Sequence, residues 1–425
     1  MLTTLPAARS LFSISRLEKI ARDTHLVVRN SRKFSPSVFL LVLLKSVCSG
    51  KASFNQLAIA FSDQCPSSTS KQALHKRVNK YAIAFLLQII KDLIGHDCAD
   101  ALEEFKSSGF TRILVEDSST LWLPKSNAEA FPAHGNASGS TAGVKCDLCY
   151  DLLSQKAVSF DLHRATEQDR VIGKETLALA RKGDLVLRDM GYFDLAEFSY
   201  LEGIKAYWFT RLPQTVNLVS SSGDSLEKIL KEATGDKIDQ EVLVGKIGHR
   251  CRLVAVRADL QTTEKRRRER HQRARQTGKN ASQKALIRDG WHLMLTNLEE
   301  ERIGVATLAQ LYRSRWAIEI QFRAWKQSTH LTSALNRKSN KWHLEALVLS
   351  AMIVALMGLK QMEIYARKVS LSQISPEKLM DWISEDILKG GSVEKLATTP
   401  PELRHIKRDS SKGKSPVVQG LIALS

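Results

Sequence analysis

The residue pattern predicts an α/β protein: a mixed-sheet core preceded by a helical N-terminal region and interrupted by a β-rich insertion. Three observations carry this. Residues 1–100 show helical periodicity and no strand-like run. From about residue 110, short β-rich stretches alternate with helical ones in the order strand, strand, strand, helix, strand, helix, strand, as in a mixed sheet with helices packed on it. Near residue 213 the pattern changes to Ser/Gly turns and paired strands, and near 290 the first pattern resumes. The implied ranges are 1–100 for the helical region, 105–213 and 290–370 for the two parts of the core, 214–289 for the insertion, and 371–425 for a helical and basic tail.

In the helical region, SFNQLAIAFSD (53–63), the polar turn QCPSSTS and KQALHKRVNKYAIAFLLQIIKDLI (71–94) resemble a helix-turn-helix. Thr69 or Ser70 caps the second piece, which leaves Lys71, Gln72, His75 and Lys76 exposed at its start. A helix that is polar first and apolar later suits entry into a DNA groove, whereas the plainer alternative is a bundle helix with a solvated basic face. The apolar runs VFLLVLLKSV (38–47) and LEALVLSAMIVALMGL (344–359) each contain a charge and fall short of the ~20 residues a spanning helix needs, so both read as buried helices.

The core begins with TRILVEDSS (111–119), a β-rich run ending in an acid and two serines. AGVKCDLCYDLLS (142–154) and AVSFDLHRA (157–165) read as a strand pair. A helix at 166–183, the strand DLVLRDMGY (184–192), a helix at DLAEFSYLEG and the strand KAYWFTRL (205–212) follow, with Asp184 and Asp194 as capping or turn residues. The insertion holds strands at EVLVGKIG (241–248) and CRLVAVRA (251–258), then the basic run EKRRRERHQRARQTGK (264–279). After it come the strand GWHLMLTNL (290–298) and a long helix opened by Thr307. Beyond about 395 the chain reads as a mobile basic tail.

The formal net charge of +18 favours a polyanionic partner, nucleic acid before an anionic membrane. Six cysteines spread over 425 residues make no disulfide framework, and Cys146 and Cys149 form one C-x-x-C with no second pair at zinc spacing. With no secretory signal at the start, a reducing, cytoplasmic compartment is expected.

The stretch YRSRWAIEIQFRAWK (312–326) is unusual. At about 100° per residue, Tyr312, Arg315, Glu319, Arg323 and Lys326 fall in one stripe roughly 80° wide, and only Arg313 strays from it. An i,i+4 ion pair accounts for Arg315 and Glu319 but not for an alignment over four turns. Two further acids, Asp117 and Asp189, sit where an apolar strand meets a turn, the sheet edge at which ligands bind in α/β folds. Three carboxylates without a His/Cys set are hard oxygen ligands that suit Mg²⁺ or Mn²⁺ rather than zinc. Glu116, next to Asp117, points to the other face of its strand and is left out of the site.

Tyr312-x₂-Arg315-x₃-Glu319-x₆-Lys326 resembles the Y-R-E-K signature of bacterial insertion-sequence transposases, DDE recombinases with an RNase H-like core, some with a β insertion. LVEDSST resembles their first aspartate block, LVLRDMGYF their second and WHLMLTN the strand before the signature helix, so that the likeness covers about 105–330. Met190 departs from the small or basic residue of many relatives. The resemblance implies that Asp117, Asp189 and Glu319 hold two Mg²⁺ ions, with Mn²⁺ able to substitute. It implies that Tyr312, Arg315 and Lys326 contact DNA phosphates, with Arg323 on the same stripe, and that Trp291 and Trp316 stack near a flipped base. Arg266, Arg267 and Arg268 would track the DNA backbone. The expected protein is a nucleoid-associated transposase that works on double-stranded DNA as a homodimer, cuts at terminal inverted repeats and joins 3′ ends to target DNA. The alternatives are a catalytically silent repressor of its own element and a nuclease that does not join.

Overall fold

The computed structural model describes residues 12–29, 34–65, 69–94, 109–135, 139, 141–336, 339–390, 392–393 and 402–409, apart from the side chains of Gln310, Arg313 and Trp316. Most of the tail expected beyond 395 therefore lies outside the described residues. The helices of the N-terminal region are α1 (Ile14–Asp23), α2 (Pro36–Ser49), α3 (Phe54–Gln64), α4 (Lys71–Arg77) and α5 (Lys80–Ile94). Next come β1 (Ile113–Leu123), β2 (Ala142–Asp151), β3 (Lys156–Arg164), α6 (Asp169–Leu177), β4 (Leu185–Arg188), α7 (Leu195–Gly203) and β5 (Tyr207–Arg211). The segment after β5 gives β6 (Leu218–Ser220), α8 (Leu226–Glu232), β7 (Lys237–Val244), β8 (His249–Arg257), α9 (Leu260–Gln276) and α10 (Gln283–Arg288). The chain ends with β9 (Trp291–Thr296), α11 (Val305–Ser314), α12 (Trp316–Ser328), α13 (Leu331–Leu335), α14 (Lys341–Ala366), α15 (Pro376–Lys389) and α16 (Leu403–Ile406).

The strand order is β3-β2-β1-β4-β5-β9-β8-β7-β6. β1, β4 and β5 are parallel, and β2 and β3 form the expected antiparallel pair. The order 3-2-1-4-5 with this polarity is that of an RNase H-like core, the class the resemblance implied. Strands β6, β7 and β8 extend the same sheet through antiparallel pairing of β8 with β9.

By packing, the chain divides into two compact units. The first comprises Met1–Glu103, Asp117–Glu167 and Ala317–Ser415. Its core is helical: α14 is packed against by α2, α5 and α15, so the N-terminal helices share an interior with the C-terminal ones. Helix α2 is set by its ends. Ser35 accepts from the Val38 amide, Pro36 fits the first turn, and Gly50 closes the helix at φ 70°, a left-handed conformation that other residues adopt at a cost. Leu40, Leu43, Leu44 and Val47 between those ends are fully covered, each contributing about 1.5–3 kcal/mol of burial. Helix α14 runs for 26 residues, longer than the apolar run suggested. It is long and apolar enough to cross a membrane, yet 89% of its most apolar stretch is buried inside the protein.

The single helix expected at 71–94 is two. Ser70 caps α4 through the Ala73 amide, and Lys71, Gln72, His75 and Lys76 are exposed as expected. The break comes at Asn79, whose side chain donates to the Lys76 carbonyl and accepts from the Tyr81 amide, both at 2.9 Å. That local bonding offers the backbone an alternative to the helical ladder.

The second unit comprises Glu104–Glu116, Gln168–Trp316 and Pro416–Ser425. It contains the parallel ladder of β1 with β4, in which Val115 pairs with Leu187. Trp208 stacks on Phe198 at 4.0 Å between ring centroids, fixing α7 on β5. Asp194 caps α7 through the Ala196 amide, as expected. The basic run of the insertion lies mostly in the helix α9. Its Asp259 cap accepts from the Thr262 amide at 2.7 Å, and the long-chain residues after it have high helix propensity.

Candidate active site

Asp117 does not end its strand. β1 continues to Leu123, because Leu121 and Leu123 are buried on either side of the exposed Trp122, a period-two pattern that holds the chain extended. The ladder with β4 runs to Val115, and Asp117 follows two residues later. Asp189 likewise follows Leu187 by two residues, immediately after β4 ends at Arg188. Asp117, Asp189 and Glu319 are all half-buried; none is sealed in an apolar interior. Among the described residues, no group of three or more His, Cys, Asp or Glu side chains is gathered to hold a metal ion. Asp117 and Glu319 belong to the first unit and Asp189 to the second.

The signature stretch is not one continuous helix. α11 ends at Ser314 and α12 begins at Trp316, while the Arg315 amide bonds to the Tyr312 carbonyl three residues back at 3.2 Å. That tighter turn interrupts the 100° spacing. No Gly or Pro stands there to mark the break in the sequence.

In the second unit the Tyr312 hydroxyl, expected on a DNA phosphate, donates to Asp189 Oδ1 at 3.4 Å, a long contact. Its ring packs edge-on to Phe209 at 5.6 Å. Burial raises the Tyr312 pKa and the Asp189 charge adds to this, so the hydroxyl keeps its proton. Arg315 is buried, its guanidinium carbon 5.9 Å from the centre of the Tyr312 ring.

In the first unit, Lys326 donates to Ser119 Oγ at 2.5 Å and to the Thr120 carbonyl at 3.3 Å, tying α12 to β1 just past Asp117. Burial lowers its pKa, opposed by Cys146 and Asp117. The Ser118 amide donates to Asp117 Oδ1 at 2.8 Å. Arg323 is exposed on α12, and the Trp316 side chain lies outside the described residues.

Trp291 opens β9 only 5% exposed, with the Arg257 guanidinium over its ring at 4.3 Å. In this conformation it is a packed core residue rather than a free stacking platform. Arg266 is also engaged: it donates to the carbonyls of Asp289 and Trp291 at 3.2 and 3.1 Å, and burial lowers its pKa. Arg267 and Arg268 are exposed. Between α9, α10 and β9 lies a cavity of about 490 Å³ lined by Arg211, Arg266, Arg270, Arg273, Lys279 and Arg288, with Met190 and Trp291 in its wall. Arg270 is paired with Asp289 and Arg288 with Glu227, and the remaining cations leave the cavity electropositive beside the residue that follows Asp189. Arg211 and Arg288 lie outside the basic run and were not singled out by sequence.

Sequence reading also missed a buried cluster. Glu116, Arg188 and Glu197 are 1%, 4% and 5% exposed. Arg188 forms ion pairs with Glu116 and, at 2.8 Å, with Glu197. One cation between two carboxylates leaves excess negative charge, and burial first of all pushes Glu197 from 4.5 up to about 7. The folded state thus holds a proton on Glu197 that the unfolded chain has lost between those pH values. Stability should therefore fall as pH rises through that window, on the order of 3 kcal/mol in all. Denaturation midpoints at pH 5 and pH 8 are expected to differ less in Glu197→Gln than in wild type.

The fold and site define a mixed α/β protein with acids just past the paired ends of parallel strands and a basic cavity nearby. The chain belongs to the transposase DDE domain family, whose model matches residues 108–356. It is 27% identical over 389 residues to the transposase for insertion sequence element IS231E of Bacillus thuringiensis subsp. finitimus, covering 84% of this chain and 80% of that one. It is 25% identical over 378 residues to the transposase for IS1151 of Clostridium perfringens, covering 81% and 78%. The cryo-EM structure of the piggyBac transposase synaptic complex with hairpin DNA compares at a TM-score of 0.48 and 11% identity, covering 94% of this chain and 83% of that chain.

Proposed function

We propose that this chain is the transposase of an insertion sequence, cutting DNA at terminal inverted repeats and joining the freed 3′ ends to target DNA. Family membership supports the class. The observation that carries the assignment of residues is the placement of Asp117 and Asp189, each two residues past the paired Val115 and Leu187.

Asp117, Asp189 and Glu319 are half-buried oxygen donors, whose chemistry fits Mg²⁺ or Mn²⁺. They would hold two such ions, which when bound activate water or a 3′-hydroxyl and stabilise the leaving oxygen. The remaining groups position. Tyr312 keeps its proton and orients the Asp189 carboxylate. Lys326 fixes the strand just past Asp117 and adds positive charge beside it. Arg323, exposed on α12, supplies a phosphate contact, and the cavity with Arg211 and Arg273 receives the DNA backbone. A homodimer would bring two ends together, each served by one set of acids.

Incubating the protein with a labelled end of its own element and Mn²⁺ should yield nicks at the end, then products joined to a target duplex. Binding without nicks would favour the silent repressor; nicking without joining would favour a nuclease. Charge makes a separate prediction. Arg267→Ala with Arg268→Ala, both exposed, should weaken binding alike for cognate and random DNA. The slope of log K against log salt should become shallower by about 1–2, read from gel shifts over a salt series.

A further inference from the structure

The strands bearing the two aspartates carry a charged assembly on their opposite face for which the chemistry above has no use. Side chains alternate along a strand, so Glu116 and Arg188 face away from Asp117 and Asp189. Glu116 and Arg188 are the next residues after the paired Val115 and Leu187, and their ion pair closes that step of the ladder.

Arg188 is held from several sides. Besides Glu116 on β1, it reaches Glu197 on α7 at 2.8 Å and the Gly173 carbonyl on α6 at 2.6 Å, and its guanidinium carbon stands 5.4 Å from the centre of the Tyr192 ring. Residue 173 must be glycine for this approach, since a Cβ there would lie 2.7 Å from the Tyr192 ring and 3.3 Å from Arg188 Nη1. A planar fork with several donors serves partners in different directions; an ammonium does not. Buried ion pairs contribute little net stability relative to apolar packing, but they fix geometry.

We propose that Arg188 is a positioning residue that, locked between Glu116 and Glu197, fixes the end of the β1–β4 ladder next to which Asp117 and Asp189 stand and thereby sets each aspartate for metal binding. This rests on the reading of those aspartates as metal ligands. Arg188→Lys keeps the charge and loses the fork; Glu116→Gln keeps the shape and loses the charge.

The test uses the full-length protein, with Mn²⁺ binding followed by electron paramagnetic resonance, end binding by gel shift without metal, and the thermal midpoint. Both variants should bind Mn²⁺ about tenfold or more weakly, as residues supporting a metal ligand do, while end binding in the absence of metal is retained. Mn²⁺ affinity within about twofold of wild type in the folded variants overturns the proposal, whether or not their midpoint falls. Asp117→Ala and Asp189→Ala serve as controls. If they too leave Mn²⁺ binding unchanged, the site assignment fails, a result distinct from failure of the Arg188 clamp alone.

Discussion

Alanine at Asp117, Asp189 or Glu319 should abolish strand cleavage while leaving end binding intact. The loss should exceed the ~10–100-fold typical of residues that only support a metal ligand, because each acid is assigned a direct role at the reacting phosphate. Binding should survive for an electrostatic reason. The protein carries a net +18, and removing one carboxylate adds to that excess, so attraction to DNA is unchanged or slightly stronger. A matched control is Asp194→Ala, which removes the cap of α7 and costs about 1 kcal/mol, but leaves the proposed acids in place. Labelled ends with Mn²⁺ report cleavage, and gel shifts in chelator report binding. Robust nicking by any one of the three alanine variants would reject the assignment, and so would loss of cleavage by the Asp194 variant alone.

Much of this site was legible because strand and helix periodicities are local. The β2–β3 pair and the apolar run of β4 followed by Asp189 need only neighbouring residues to be recognised. The end of β1 was misread because Ser118, Ser119 and Thr120 look like a turn; the pattern of Leu121, Trp122 and Leu123 keeps them in the strand. The break at Arg315 and the division at Asn79 were hidden for different reasons. The first has no Gly or Pro to mark it, and the second depends on a single side chain capping its own backbone. A stripe at 100° per residue over 312–326 requires one continuous helix, and the break at Arg315 interrupts it. Long-range pairings were not legible at all. Arg188 meets Glu116 across 72 positions of chain, and the 3-2-1-4-5 strand order follows from crossovers that periodicity does not encode.

The same limit conceals the residue expected to matter most for stability. Asp184, which reads as a turn residue, is fully buried and pairs with Arg112 at 2.5 Å, and it also accepts from the Arg181 amide at 2.8 Å. Arg112 precedes β1 and Asp184 precedes β4, so this pair binds the start of the β1–β4 ladder as Glu116 and Arg188 bind its far end, with the charges exchanged. Arg112→Met should leave a carboxylate uncompensated in the interior, at a cost of about 3–5 kcal/mol. In a protein of this size that lowers the thermal midpoint by about 3–6 °C. Adding Asp184→Leu removes the orphaned charge and should recover part of the loss, though not all, because the Arg181 amide then lacks its acceptor. The two ends of the β1–β4 pair are thereby separable. Arg112→Met should lower the midpoint while Mn²⁺ affinity of the folded protein stays near wild type, whereas Arg188→Lys should weaken Mn²⁺ binding. If both substitutions move both quantities in equal proportion, the strands respond as one rigid block and the clamp near the aspartates has no role of its own.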